Sequence, residues 1–264
     1  MNCLILASCD HALQRRWQDR LAARLRAQGH EVMVTSGLSW LHHISLRTAL
    51  RLLELASDNW TGRLAIWESD TWPLDDRWAA WVEAEFEADP ALALVAAQHG
   101  WLRFPRATRL DVVTADSDLF VGRQWMPLDR NAAAWWAVLD LDRLRVAGLR
   151  AGDLDWEPTR FRVLLDEAGR SRGAVGGDTG ARVVPQLEAA GLGAELWPVR
   201  PWPCGWGCYV VRPGTEDWVM FHHFFGRQIG HAREVDVMHH RLRAEDVTES
   251  ALRFMETHME GNDG

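Results

Sequence analysis

The order of hydrophobic and polar positions along the chain predicts an α/β protein. Short apolar runs alternate with segments whose apolar residues recur every fourth position, as at Leu13, Trp17, Leu21 and Leu25. Runs of the first kind favour buried strands, and segments of the second kind favour amphipathic helices. The first part of the chain is predicted to form strands at 2–8, 31–35, 63–67 and 91–97 and helices at 10–28, at 45–56 and from Asp75 onward. Strands that alternate with helices imply a parallel sheet with right-handed crossovers.

The pattern changes after Gln98. Up to Val121 it consists of short β-like pieces broken by Pro105 and by acidic residues, which is typical of a sheet that turns antiparallel. Further on it predicts helices at 131–146, 157–167 and 179–190, strands at 209–211 and 219–222, and a closing helix within 241–258. We therefore expect one domain over residues 1–264, with a central, mostly parallel mixed sheet flanked by helices and a small antiparallel part on the acceptor side.

Composition narrows the class of protein. With 264 residues, of which 47% are hydrophobic, the chain can bury a full core as one large domain. No apolar run reaches the roughly 18 residues of a membrane span, and the first ten residues lack a basic leader, so we expect a soluble, cytoplasmic protein. Four cysteines are too few for a disulfide framework, and we expect reduced thiols.

Basic and aromatic residues are used unusually. All 29 basic residues are arginine, and there are 16 tryptophans. The planar guanidinium suits phosphate and carboxylate ligands, although a GC-rich genome is an alternative explanation. The net charge of −8 argues against a general nucleic-acid coat. Without lysine there is no Walker-type phosphate loop, and no dinucleotide-binding glycine motif follows the first strand, which excludes the commonest kinases, ATPases and dehydrogenases. The glycine-serine elbow of serine hydrolases is also absent.

Acidic residues follow the third predicted strand directly. Glu68, Ser69 and Asp70 come after the apolar stretch 63–67, at the carboxyl end of a strand, where open α/β sheets place their ligands. This stretch resembles the metal-binding strand end of A-type (GT-A fold) nucleotide-diphospho-sugar glycosyltransferases, in which an Asp-Xaa-Asp or Glu-Xaa-Asp triplet follows a hydrophobic strand. The resemblance implies that Asp70 binds Mn²⁺ or Mg²⁺ directly, while Glu68 binds the metal through water or contacts the ribose.

The end of the first strand is a second point of resemblance, because the GT-A fold holds the nucleotide there. Asp10 would contact the base or the sugar, with Arg15 or Arg16 nearby. The alternative is that Asp10 only caps the helix that follows.

A third resemblance lies in the segment 219–227, which is similar to the C-terminal strand that supplies a histidine ligand in many members of the family. His222 is the favoured metal ligand, His223 remains open, and Arg227 is a candidate diphosphate contact. Paired histidines also occur at 42–43 and 239–240, so ordinary polar residues are the alternative.

Further candidates concern the acceptor side. The run Gly-Gly-Asp-Thr-Gly around Asp178 resembles an Asp-Thr-Gly element of such transferases, which implies a general base if the reaction inverts the anomeric carbon; a helix N-cap is the alternative. Trp72, Trp202 and Trp206 fall in predicted loops and offer flat faces to a sugar or a base. Cys204 and Cys208 lack the second half of a zinc motif.

The resemblance implies transfer of a sugar from a nucleotide-diphosphate sugar, with a UDP-sugar favoured, to a hydroxyl of a glycan or small molecule. Residues 1–97 would bind the nucleotide sugar and 98–264 would face the acceptor. Three alternatives stay open: a bacteriophage-type DNA glycosyltransferase acting on 5-hydroxymethylpyrimidines, a nucleotidyltransferase and a non-catalytic nucleotide-sugar-binding module. The segment after the first strand has no glycine, which disfavours nucleotidyl transfer.

Overall fold

The structure is a computed structural model, and it describes residues 1–7, 12–35, 42–56, 61–98, 101–103, 119–120, 123–124, 132–157, 162–165, 171–176, 180, 182–201, 207–223, 234–237 and 240–259. Its helices are α1 (Ala12–Ala27), α2 (His42–Ala56), α3 (Trp78–Ala88), α4 (Leu141–Val146), the 3₁₀ turn η1 (Ala151–Asp153), α5 (Val183–Ala189) and α6 (Ala244–His258). None of the helices in this described part is long and apolar enough to cross a membrane.

The strands fall into two groups along the chain. The earlier ones are β1 (Asn2–Leu6), β2 (Glu31–Thr35), β3 (Arg63–Glu68), β4 (Thr71–Pro73), β5 (Leu92–Gln98), β6 (Trp101–Arg103), β7 (Leu119–Phe120), β8 (Arg123–Gln124) and β9 (Ala132–Asp140). The later ones are β10 (Arg162–Leu165), β11 (Ser171–Gly176), β12 (Gly193–Trp197), β13 (Val199–Pro201), β14 (Cys208–Val211), β15 (Trp218–His222), β16 (Glu234–Val237) and β17 (His240–Arg243).

A six-stranded sheet forms the centre, in the order β12-β5-β9-β3-β1-β2. Strands β1, β2 and β3 pair in parallel, as do β5 and β12, whereas β9 runs antiparallel between β3 and β5. The expected mostly parallel mixed sheet flanked by helices is therefore present. Because β1, β2 and β3 are parallel, their carboxyl ends share one edge of the sheet.

The central sheet is buried on both faces. One core contains Trp17 and Leu21 of α1 together with Phe86 of α3, and the other contains Leu50 of α2 and Leu144 of α4. All nine residues of β9 are buried. Because both faces of this central strand are covered, neither face carries polar residues, and the sequence of the strand is a continuous apolar run.

A separate antiparallel sheet, β13-β14-β15-β4, continues from the carboxyl end of β3 through β4. It joins the early strand β4 to the late strand β15, with Phe221 opposite Trp72 and His222 opposite Thr71. Residues far apart in sequence thus meet at the edge where β3 ends.

Two predicted helices are wrong. The segment predicted as a helix at 131–146 forms β9 and only then the short α4, because a continuous apolar run does not separate a buried strand from a buried helix and the sheet decides between them. Within the predicted helix 157–167, the described residues Arg162–Leu165 form β10, which pairs with β11. Other predicted elements agree to within a few residues in the described ranges: 31–35 matches β2, and the closing helix is α6.

Candidate metal centre

The turn between β3 and β4 carries the predicted acidic pair. Glu68 ends β3, Ser69 and Asp70 form the turn, and Thr71 begins β4. The backbone N–H of Ser69 donates to the Leu6 carbonyl at 3.1 Å, and the Thr71 hydroxyl donates to the Glu68 carbonyl at 2.6 Å. These bonds fix the turn against the end of β1, so its carboxylates have a defined position.

Strand β15 brings a histidine to this turn. It pairs antiparallel with β4, and the backbone N–H of His223 donates to the Asp70 carbonyl at 3.0 Å. His222 Nε2 lies 3.3 Å from Asp70 Oδ1 and 3.4 Å from Glu68 Oε2. Ligand atoms of Glu68, Asp70 and His222 all lie within 4.8 Å of one another.

The cluster is largely shielded from water. Asp70 is 3% exposed and His222 is 7% exposed, while Glu68 is partly buried. Two carboxylates that converge in a buried place repel each other unless positive charge is brought between them. Carboxylate oxygens suit Mg²⁺ and Mn²⁺, and an imidazole nitrogen suits transition-metal ions, so the residues present fit a divalent cation and favour one such as Mn²⁺ over Mg²⁺.

The nearby carboxylates change the pKa of the His222 imidazole. Burial lowers its pKa, but the negative charge of Asp70 and hydrogen bonds to Asp70, Cys208 and Glu68 outweigh that effect, and the pKa of His222 lies well above its ordinary value. In the metal-free protein the protonated ring supplies positive charge beside the carboxylates. A bound cation would take over that role from the proton.

Two buried neighbours hold the His222 ring. The Trp135 ring stacks on it with a centroid distance of 4.6 Å and an interplanar angle of 10°. Cys208 stands opposite His222 in the β14–β15 register, on the same face of the sheet. Burial, the largest cause, raises the pKa of this thiol. The ring is therefore oriented with Nε2 towards Asp70 and Glu68.

Trp135 reaches the site because of an irregularity in the central sheet. The register of β5 against β9 shifts between Ala96 and Ala97. Trp135 and Trp136, although adjacent in sequence, both join the core on the α1 side of the sheet. A β-bulge commonly redirects a side chain beside a functional site, and the predicted helix at 131–146 could not have revealed this one.

Helix α1 contacts the β3–β4 turn through two buried residues that the sequence analysis did not predict. Gln14 is 1% exposed and donates from Nε2 to the Ser69 hydroxyl. Trp17 Nε1 donates to the Thr71 carbonyl at 2.8 Å. The signal was present in the sequence: Gln14 is a polar residue on the helix face that also carries Trp17 and Leu21.

The structure separates the two predicted histidines. His222 joins the acidic pair, whereas the His223 ring is buried on the other side of the strand, with its centroid 5.8 Å from that of Trp17 and its Nε2 3.4 Å from the Ser250 hydroxyl of α6. A strand sends successive side chains to opposite faces, so adjacent histidines cannot both face the turn.

The other predicted contacts are placed as follows. Trp72 is 3% exposed and packs in the core, with the Arg24 guanidinium 5.0 Å from its ring centroid. Arg15 and Arg16 are exposed on α1, next to the buried Gln14. Asp10, Asp178, Trp202, Trp206 and Arg227 lie outside the described residues.

Comparison with known proteins gives little further guidance. The sequence matches no protein-family model and no curated protein. Among solved structures it is similar to a glycosyltransferase involved in the glycosylation of the major capsid of PBCV-1, with 9% sequence identity and a TM-score of 0.32. The likeness covers 55% of this chain and 62% of that chain. These values assign the chain to no family.

Proposed function

We propose that this protein is a metal-dependent glycosyltransferase that moves a sugar from a nucleotide-diphosphate sugar to an acceptor hydroxyl. One observation carries the proposal: Glu68, Asp70 and His222 converge at the carboxyl end of β3. Ligands of open α/β sheets bind at this edge. A buried acidic pair with an imidazole is suited to hold a cation that faces a diphosphate.

In the proposed reaction Asp70, Glu68 and His222 hold Mn²⁺ or Mg²⁺. The bound cation would neutralise the diphosphate leaving group of the donor. Asp70 and His222 are fixed by the β4–β15 pairing, Trp135 and Cys208, so little ordering is needed on binding.

Helix α1 contributes to the donor side of the proposed site. It begins at Ala12, after β1, and its N-terminal end favours anionic groups. Arg15 and Arg16 are exposed on its early turns, while Gln14 between the same turns contacts Ser69. We therefore assign Arg15 or Arg16 to the diphosphate or ribose, and keep Asp10 and Arg227 as further donor contacts.

The acceptor side rests on sequence resemblance. Asp178 is the proposed general base, and Trp202 and Trp206 are the proposed stacking surfaces for a sugar or base. A UDP-sugar is the proposed donor. The acceptor is proposed to be a glycan or small molecule.

The test is a thermal-shift screen of the purified protein against UDP-, GDP-, dTDP- and CMP-sugars, with and without Mn²⁺. A ligand that binds only the native state raises the melting temperature. We expect one nucleotide sugar to stabilise the protein only when Mn²⁺ is present, and Asp70→Asn to abolish that dependence.

Asp76→Asn is the matched control, because Asp76 is an exposed carboxylate paired with Arg24 away from the cluster. Failure of every nucleotide sugar at saturating concentration would refute the transferase proposal. Once a donor is found, sugar transfer to glycans, small molecules and hydroxymethylated DNA identifies the acceptor class.

A further inference from the structure

Gly207 is buried and directly precedes β14, the strand that pairs with the histidine-bearing strand β15. Cys208, the next residue, stands opposite His222 in the β14–β15 register. The chain at Gly207 therefore passes close to the backbone that carries the proposed metal ligand.

A side chain at position 207 would have no room. A Cβ atom there would lie 2.6 Å from the His222 carbonyl oxygen and 2.5 Å from Cε2 of the Phe221 ring. Real Cβ contacts are essentially never shorter than 3.0 Å, so the carbonyl would have to retreat by about 0.4 Å. Only a residue without a Cβ atom allows the two segments to approach so closely.

The Phe221 ring cannot move aside without breaking other contacts. It is 1% exposed, and it stacks on the Phe254 ring of α6 with a centroid distance of 3.9 Å and an interplanar angle of 12°. The Trp17 ring of α1 stacks at 6.3 Å, and its Nε1 donates to the Thr71 carbonyl beside the β3–β4 turn. In a close-packed core a displaced ring displaces its neighbours. A side chain at 207 would therefore act on β15 itself.

Small displacements of β15 matter at the metal cluster. His222 Nε2 lies 3.3 Å from Asp70 Oδ1 and 3.4 Å from Glu68 Oε2. Distances in a metal site are set to within about 0.2 Å. A retreat of the His222 backbone by several tenths of an ångström is larger than this tolerance.

We propose that Gly207 is a positioning residue for the metal ligand His222, because its missing side chain lets β15 lie where the imidazole meets Asp70 and Glu68. Gly207 does not touch the metal and acts through His222. The inference rests on the metal centre of the proposed function, but it needs neither a nucleotide sugar nor an acceptor.

The test is calorimetric titration of the full chain with Mn²⁺. Gly207→Ala should weaken Mn²⁺ binding about 10- to 100-fold, the loss that follows when groups that support metal ligands are changed. Wild-type affinity in this variant would overturn the proposal.

Gly214→Ala is the matched control. Gly214 lies in the turn at the other end of the β14–β15 hairpin with φ +71°, and no atom of the described residues lies within 4 Å of a Cβ added there. Because alanine is unfavourable at a positive φ, this variant should lower the melting temperature. It should leave Mn²⁺ affinity unchanged, since the turn is remote from His222.

A double-mutant cycle separates positioning of the imidazole from a general loosening of the fold. In the His222→Gln background the imidazole is gone, so Gly207→Ala should have little further effect on the weak Mn²⁺ binding that Asp70 and Glu68 retain. Equal losses in both backgrounds would overturn the proposal, because a purely structural effect does not depend on the imidazole.

A second variant serves if Gly207→Ala does not fold. Combining it with Phe221→Leu removes the contact with the ring and keeps the contact with the His222 carbonyl. Mn²⁺ binding should then be about tenfold weaker than in Phe221→Leu alone, and equal affinity in these two variants would contradict the positioning role.

These outcomes are distinct from failure of the proposed function. A wild-type chain that binds no Mn²⁺ would refute the metal centre and the role of Gly207 together. Mn²⁺ binding that is unaffected at position 207 would refute the role of Gly207 alone. Mn²⁺ binding without stabilisation by any nucleotide sugar would refute the transferase and leave the role of Gly207 standing.

Discussion

Two buried carboxylates lie at opposite ends of the central strands, and they differ in the kind of charged partner beside them. Asp140, 1% exposed at the end of β9, receives Arg63 Nη1 at 2.7 Å and Arg143 Nε at 2.9 Å. Its Oδ1 also accepts the backbone N–H of Arg143, capping α4. Both partners of Asp140 are arginines, which stay charged at every accessible pH.

Asp70, 3% exposed beyond β3, has a different environment. It lies beside a second carboxylate, Glu68, and faces the imidazole of His222, which is charged only when protonated. Permanent countercharge suits a carboxylate that holds elements together, as Asp140 holds β3, β9 and α4. The imidazole of His222 loses its positive charge when it loses its proton. Such a partner suits a carboxylate such as Asp70, which would exchange the protonated ring for a metal cation. The comparison predicts that mutation of Asp140 lowers stability and that mutation of Asp70 weakens metal binding.

Asp140→Asn should have the largest effect. Removing one partner of a buried ion pair leaves charge uncompensated, and we expect a loss of about 3 kcal/mol in the free energy of unfolding. Urea denaturation measures it as a lower midpoint with an unchanged slope. Mn²⁺ affinity should stay as in the wild type. An unchanged midpoint would contradict the architectural role of Asp140.

Asp70→Asn should show the opposite pattern. Loss of groups that merely support metal ligands costs about 10- to 100-fold in affinity, so we expect a loss of at least about 100-fold for a direct ligand. Calorimetric titration with Mn²⁺ measures it. The metal-free variant should lose much less stability than Asp140→Asn, because the change also removes repulsion from Glu68. Asp76→Asn is the control and should bind Mn²⁺ as the wild type does.

The stability of the metal-free fold and the affinity for Mn²⁺ should depend on pH in opposite ways, because a proton and a metal ion compete for the His222 ring. Folding raises the pKa of His222, so the protonated ring stabilises the metal-free fold. That contribution is complete below the ordinary histidine pKa of about 6.5 and is lost as the pH rises through the raised value. Metal binding needs the neutral ring, so Mn²⁺ affinity should rise up to about tenfold per pH unit until the raised pKa is passed.

Titrations with Mn²⁺ at a series of pH values check this expectation. His222→Gln should bind Mn²⁺ weakly and lose the part of the pH dependence that belongs to the imidazole. If the wild-type affinity did not change between about pH 6 and about pH 8, His222 would not be a ligand.

The smallest expected effect concerns the support of the turn by α1. Gln14→Ala removes the hydrogen bond to Ser69, and we expect a loss of about 1 kcal/mol in the free energy of unfolding. A double-mutant cycle with Ser69→Ala isolates the pair, and the two changes should be non-additive by a similar amount. Fully additive losses would show that the bond contributes nothing to stability.

Much of the central sheet could be predicted because its early strands and helices have distinct periods. The apolar run 63–67 followed at once by Glu68 and Asp70 pointed to the site edge, and a strand end with two adjacent histidines pointed to β15. Strand β9 could not be predicted, since its continuous apolar run also fits a buried helix, and its antiparallel place between β3 and β5 is decided by those partners.

The sequence by itself determined the alternation of strands and helices in the first part of the chain and the acidic residues at the end of β3, because these depend on local periodicity. Only the tertiary structure decided which histidine meets Asp70, that Trp135 and Cys208 hold its ring, and that Gln14 supports the turn. Apart from Cys208 and His222, which lie on neighbouring strands, those contacts join residues more than fifty positions apart. Their geometry depends on strand register and on one bulge between β5 and β9. A shift of one residue in the pairing of two strands would turn the side chains that face the site to the opposite face, and the pairing of β4 with β15 is settled only when these distant segments meet in the sheet.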